Sequence, residues 1–340
     1  MPTLRVLSLS LALLCTIAAC GTPETETRSV TDRSAAATPP AAQPAVQTAP
    51  IAPAPPARQT LAEARRGFVT QITTRAPPAG RVPEPPPAVF SLVHYPAPVG
   101  RLAAYVTPDP RDGERYPAMI WMTGGDSNSI GPLWEDAPRD NDQTAAAFRR
   151  AGIVLMFPSL RGGNDNPGLK EGFLGEVDDI LAAADWLDDQ PYVDPQRIYL
   201  GGHSTGGTLV MLVAEQSDRF RATFAFGPVA DIAGYGPDFL YFDAADGREL
   251  RLRSPSHWLH GIRTPTFVFE GRDPPSNLDA LEALQQAAGE HPLVHFHAVA
   301  GTSHFSILAP LNERIATKIL LDTGAQSGIR FAPEDFAFAH

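Results

Sequence analysis

The stretch at 197–212, RIYLGGHSTGGTLVML, constrains the fold more than any other part of this chain. Ile198, Tyr199 and Leu200 form an apolar run of strand type, Gly202-His203-Ser204-Thr205-Gly206 breaks it, and Thr208-Leu209-Val210-Met211-Leu212 opens a helix. A G-x-S-x-G sequence in that strand–turn–helix setting puts the serine in a strained conformation of positive φ, with glycines where a side chain would strike the adjoining strand and helix. The helix begins directly behind Ser204. Its free N–H groups and its dipole therefore face any negative charge that develops beside the serine oxygen. The bland reading, a Gly-rich turn without chemistry, does not account for the strand before it and the helix after it.

The same alternation runs through the chain from Val89 onward. Residues 90–106 read as a hairpin turning at Pro96-Ala97-Pro98 and Gly100. Apolar strands follow at 116–122, 153–157, 222–226, 266–270 and 293–299, with the elbow strand between the second and third of these. Between them lie helical patterns at 142–151, with Asp142 as its cap, and at 175–189, 277–289 and 306–321. Apolar strand interiors alternating with helices predict an α/β fold: one doubly wound, mostly parallel sheet covered on both faces. Residues 227–261 form an aromatic-rich cap insertion, with Tyr235, Phe239, Tyr241, Phe242 and Trp258 placed either to roof the site or to pack the cap.

The first part of the chain is of another kind. Seventeen of the 35 prolines lie in the first hundred residues, and 22–60 is Ala, Pro, Thr, Ser and Gln with hardly a large apolar side chain. Such a segment cannot bury enough surface to offset its ordering entropy and is expected to be disordered. At roughly 3 Å per residue it would reach on the order of 100 Å. Residues 60–73 can form a short helix before a second Pro-rich stretch at 76–88. Residues 1–20 have one positive charge, a short apolar run and a small-residue end, the pattern of a secretory signal. Ile17-Ala18-Ala19-Cys20-Gly21 resembles a bacterial lipobox, which implies lipidation at Cys20 and export to the cell envelope, with the outer membrane favoured by Gly21. The expected organisation is a signal peptide at 1–19, a lipidated linker at 20–88, a catalytic domain at 89–325 and a tail at 326–340. With Cys15 and Cys20 the only cysteines, the folded part has no disulfide. A formal net charge of -11 makes nucleic acid an unsuitable partner.

A serine hydroxyl needs a base to take its proton and an acid to orient that base. Loops after parallel strands emerge at one edge of the sheet, so partners of Ser204 are sought just after strands. His304 follows the last strand and precedes the last helix, as a base would. For the acid, Asp273 follows the preceding strand, in the chain order Ser…Asp…His. Glu270 at the strand end is the alternative, with Asp279 and Asp231 also open. Oxyanion donors are expected from the N–H of Thr205 and from Gly124-Gly125, chiefly Gly125. His203 fills the variable position beside the serine. His295 and His297 lie within a strand and lack further ligands, so no metal site is expected.

Together with the elbow, the sequences at Pro158–Gly163, Tyr192–Ile198, Arg253-Ser254-Pro255 and Thr264-Pro265 resemble an α/β-hydrolase of the prolyl oligopeptidase catalytic-domain type, with kinship to dienelactone-hydrolase-like esterases. The resemblance spans 116–320. It implies an α/β-hydrolase fold and a serine hydrolase working through an acyl-enzyme on a small-molecule or short-peptide acyl substrate, with no cofactor. The family spacing is Gly-x-x-Asp at the acid turn, whereas one residue separates Gly271 from Asp273 here. Arg161 and Asp165 match a family loop and are assigned structure. A carboxylesterase is favoured, because no segment is long enough for the access-restricting propeller of the family's peptidases. A peptidase on short peptides is the alternative, and a decayed site used as a binding module is the rival from another class. Oligomeric state is left open.

Overall fold

A computed structural model describes residues 58–77, 79–135 and 137–338. The signal segment, Cys20 and most of the linker lie outside the described residues. Eight strands form one sheet in the order β1-β2-β4-β3-β5-β6-β7-β8. The strands are β1 (Ser91–Ala97), β2 (Gly100–Val106), β3 (Tyr116–Met122), β4 (Val154–Pro158), β5 (Val193–His203), β6 (Thr223–Phe226), β7 (Thr266–Asp273) and β8 (Val294–Ser303). The hairpin β1–β2 is antiparallel and also joins β4 antiparallel, while every pairing from β4 to β8 is parallel. This is the α/β-hydrolase fold, and the carboxyl ends of β3 to β8 meet along one edge.

The helices are α1 (Leu61–Arg65), α2 (Ala146–Arg150), α3 (Glu176–Asp188), α4 (Thr205–Gln216), α5 (Gly247–Arg251), α6 (Leu278–Ala288) and α7 (Leu308–Leu321). Strand alternation divides the core between the two faces of the sheet. On β3, Ala118, Ile120 and Met122 pack with α3 and α4, whereas Met119 and Trp121 pack with Phe148 of α2 and with α7. Both faces are covered, which is why the central strands read as unbroken apolar runs.

Three local differences from the sequence reading have clear causes. Helix α2 starts at Ala146 rather than near residue 142, because Asp142 accepts from the N–H and hydroxyl of Thr144 and closes a turn of its own. Helix α1 is capped by Thr60 and Glu63 but stops at Arg65, ahead of Gly67 at φ 69°. The chain beyond α1 is an extended arm: Arg65 donates to the carbonyls of Phe173 and Leu252, Ile72 bridges Phe242, and Thr73 N–H donates to Tyr241 O at 2.8 Å. At the other end, Ile329 is buried and Phe331 packs edge-on against Phe267 and Phe269. The packed unit thus extends past 89–325 on both sides.

Candidate active site

Ser204 occupies the bend between β5 and α4 at φ 55°, ψ -115°. A Cβ on Gly202 would lie 2.6 Å from Gly206 O, and one on Gly206 2.3 Å from Met122 O. Both glycines are demanded by backbone packing, which is how the sequence forces so sharp a turn. Ser204 N–H donates to Phe226 O at 2.7 Å and so ties the bend to the end of β6. Thr205 opens α4, so its N–H has no acceptor within the helix. Its hydroxyl donates to Gly125 O at 2.9 Å, drawing the loop after β3 against the elbow. Gly125 adopts φ 75° there. The two expected oxyanion donors therefore belong to directly bonded residues.

His304 is buried at the end of β8, its N–H bonded to Pro275 O at 2.8 Å. Its Nδ1 lies 3.0 Å from Glu270 Oε2. An ionised carboxylate only accepts, so the ring proton sits on Nδ1 and Nε2 is left as the basic atom. The partner of His304 is therefore Glu270, and the expectation of Asp273 is corrected. Strand β7 continues to Asp273, which pairs in register with Ser303 beyond an irregularity after Gly271. Three residues of strand carry a side chain roughly 10 Å further along, and Asp273 ends exposed while Glu270 is buried. Asp279 is exposed on α6, and Asp231 accepts from Ala233 N–H in a turn of its own. Gly227, at φ 57° after β6, has a role that sequence reasoning missed: a Cβ there would sit 2.3 Å from His304 Cε1 and 2.6 Å from Glu270 Oε2.

Tyr235 reaches the site from the cap insertion. Its hydroxyl is 2.7 Å from Thr208 Oγ1 and interacts with Ser204, and burial pushes it above the usual phenol range. Among the described residues no hydrogen bond joins Ser204 to His304. Such contacts commonly tighten only when substrate is bound. The aromatic residues of the insertion divide between two tasks. Tyr235 stacks beside Phe173 and Phe239, whereas Phe242 and Trp258 are buried under the cations of Arg253 and Arg251. A cavity of about 390 Å³ opens beside Gly125 and Asn128, with Phe173, Phe239 and Tyr241 on one side and Ala76, Pro77 and Ala79 of the arm on the other. Lys170 projects into it and pairs with Asp126 at 2.6 Å.

Arg161, Asp165, His295 and His297 make structural contacts. Arg161 is held between Asp179 and Glu171, bracing the loop after β4 against α3. Asp165 is an exposed partner of Arg81 at 4.0 Å. His295 stacks on Phe267, and His297 on Phe269, where burial holds it down at about 4. Among the described residues no three His, Cys, Asp or Glu side chains are grouped to hold a metal ion. His203 was also missed: it is buried, with Nε2 at 2.9 Å from His304 O and Nδ1 at 2.8 Å from Gln143 Nε2. A strained serine, a histidine with its free nitrogen at the same sheet edge, a carboxylate behind that histidine and the backbone of two adjoining loops can together run acyl transfer.

Residues 140–271 match the prolyl oligopeptidase family, Peptidase_S9. Similar curated proteins include the uncharacterized peptidase YuxL of Bacillus subtilis, 29% identical over 38% of this chain and 23% of its own length. Dipeptidyl-peptidase 5 of Porphyromonas gingivalis is 29% identical over 34% of this chain and 17% of its own. The uncharacterized peptidase YtmA of Bacillus subtilis is 25% identical over 48% of this chain and 65% of its own. The chain thus spans less than two thirds of each of these relatives. Among solved structures, a Mycobacterium tuberculosis puromycin-hydrolyzing peptidase superimposes with a TM-score of 0.55 at 21% identity, over 68% of this chain and 39% of its own. An acylaminoacyl peptidase of Pyrococcus horikoshii does so at 0.57 and 17%, over 73% of this chain and 44% of its own. At these identities the likeness is one of fold.

Proposed function

We propose that the chain is a serine peptidase of the prolyl oligopeptidase catalytic-domain type that cleaves short peptides, a reading supported by the match of residues 140–271 to that family. The observation that carries the reading is the buried His304–Glu270 pair, 3.0 Å apart, at the same sheet edge as the strained Ser204. In the proposed mechanism Ser204 Oγ attacks the carbonyl carbon while His304 Nε2 takes its proton. Glu270 stabilises the imidazolium and keeps its orientation. The N–H groups of Thr205 and Gly125 receive the negative oxygen of the tetrahedral intermediate. His304 then returns the proton to the leaving amine, and water attacks the acyl-enzyme by the same route in reverse.

Peptide is preferred to ester as substrate because the relatives described above are named as peptidases. The lean of the sequence toward a carboxylesterase finds no such support. The cavity beside Gly125 is the proposed acyl-group site, and the arm that walls it limits the room there. We further propose that Cys20 anchors the protein by lipid to the bacterial envelope. A Cys20→Ala variant should then move from the membrane fraction to the soluble one.

The decisive assay compares aminoacyl and dipeptidyl p-nitroanilides with p-nitrophenyl esters, using Ser204→Ala as background. Activated esters are intrinsically easy substrates, so their hydrolysis alone does not separate the readings. Anilide turnover above the Ser204→Ala background is the expected result. Ester turnover with no anilide cleaved would return the protein to the esterases. Failure of a fluorophosphonate to label the wild type would favour a decayed binding module.

A further inference from the structure

We propose that Gln143 and His203 form a positioning relay that locks the oxyanion loop to the main chain of His304. The inference rests on the serine hydrolase reading above and adds to it two residues outside the triad. Gly124 N–H donates to Gln143 Oε1 at 3.0 Å. A backbone N–H can only donate, so the oxygen of the amide faces Gly124 and its nitrogen faces the other way. That nitrogen donates to Asn141 Oδ1 and to His203 Nδ1, both at 2.8 Å. A ring nitrogen that accepts is unprotonated, so the single proton of His203 lies on Nε2, which donates to His304 O at 2.9 Å.

The polarity of the relay is therefore set at both ends by backbone, a donor at Gly124 and an acceptor at His304. It closes only when His203 is neutral. A second ring proton would set Nδ1–H against the amide NH2, and turning the amide over would set that NH2 against Gly124 N–H. The surroundings enforce neutrality: His203 is 1% exposed, its ring lies 4.5 Å from the His304 ring and 5.6 Å from Phe305. Burial, with the neighbouring His304 adding to it, holds its pKa down at about 3. The relay joins the ends of β3, β5 and β8. Small displacements of catalytic groups are costly, on the order of a hundredfold for about 1 Å. A link of this kind keeps the oxyanion donors and the base in one frame.

The test uses the full chain and the anilide substrate. His203→Phe keeps a ring and removes both hydrogen bonds, while His203→Gln restores a donor within reach of the His304 carbonyl. His203→Phe should lower kcat about ten- to hundredfold with KM within about threefold of wild type, and His203→Gln should regain at least about fivefold. Gln143→Ala, at a partly exposed position, should lower kcat about three- to tenfold and serves if His203→Phe does not fold. Imidazole 15N spectra of the wild type should show His203 neutral with its proton on Nε2 at pH 7. The proposal falls if His203→Phe keeps kcat within about twofold, if His203→Gln is no better than His203→Phe, or if the proton sits on Nδ1. A wild type that takes no fluorophosphonate would overturn the enzymatic reading, and the relay's role with it. A labelled wild type with an indistinguishable His203→Phe variant would overturn the relay alone.

Discussion

The turn after β5 and the turn after β7 perform neighbouring tasks but are built in opposite ways. The elbow is specified locally. Gly202 and Gly206 bracket Ser204 because backbone atoms of Gly206 and Met122 occupy the space their side chains would need. The acid position is specified at a distance. Glu270 faces His304 because β7 stays paired with β8 past the expected strand end, and the irregularity after Gly271 lets Asp273 run on to Ser303. A local turn can be read from five residues, whereas a strand register depends on a partner some thirty residues away in sequence.

Substitutions can break or sharpen this contrast. The largest effect belongs to the elbow: Ser204→Ala should lower turnover by about 10⁴- to 10⁶-fold and abolish fluorophosphonate labelling. Next comes the acid turn, where Glu270→Gln should cost about 10³- to 10⁴-fold by favouring the wrong tautomer of His304. Asp273→Asn should stay within about threefold, as befits an exposed strand-end residue. Reversal of those two results would return the role to Asp273 and remove the contrast. Gly227→Ala, whose methyl would displace both His304 and Glu270, should lower kcat about ten- to hundredfold. Gly206→Ala, by contrast, should register as stability, a loss of about 1–3 kcal/mol in denaturant melts through overpacking against Met122 O.

A further effect is one of pH, and it again belongs to the elbow side. His203 binds a proton near 6.5 when unfolded but not until about 3 when folded. The unfolded state therefore holds more protons across that window. Stability is complete above the unfolded value and declines as pH falls from there toward the folded one. Between pH 6.5 and 4.5 the decline attributable to this group is about 2 kcal/mol. His203→Gln should flatten that part of the stability profile, and an unchanged slope in urea melts would show that His203 is already charged in the folded protein.

Features that rest on neighbours in sequence were legible from the chain. The strand–turn–helix around Ser204, the placement of His304 after the last strand and the covered parallel sheet all follow from local apolar pattern and glycine. The choice of Glu270 was not legible, because its buried side chain lies within a strand and Asp273, which reads as a turn residue, ends that same strand. His203 was passed over for a related reason: beside the serine it reads as filler, and only the approach of Gln143 and the His304 carbonyl, from 60 and 101 residues away, gives it work. Asp142 shows that a good cap residue can close a small turn instead of starting a helix.

The arm described above has a consequence in time. It supplies Ala76, Pro77 and Ala79 to the wall of the cavity, yet its holding groups are Tyr241, Glu249 and Leu252, between 168 and 187 residues later in the chain. During vectorial synthesis the wall is made early and waits for its mountings. A nascent chain that has already completed Ser204 has nothing yet to mount that wall. The cavity beside Gly125 is thus among the last features the molecule completes as it is made.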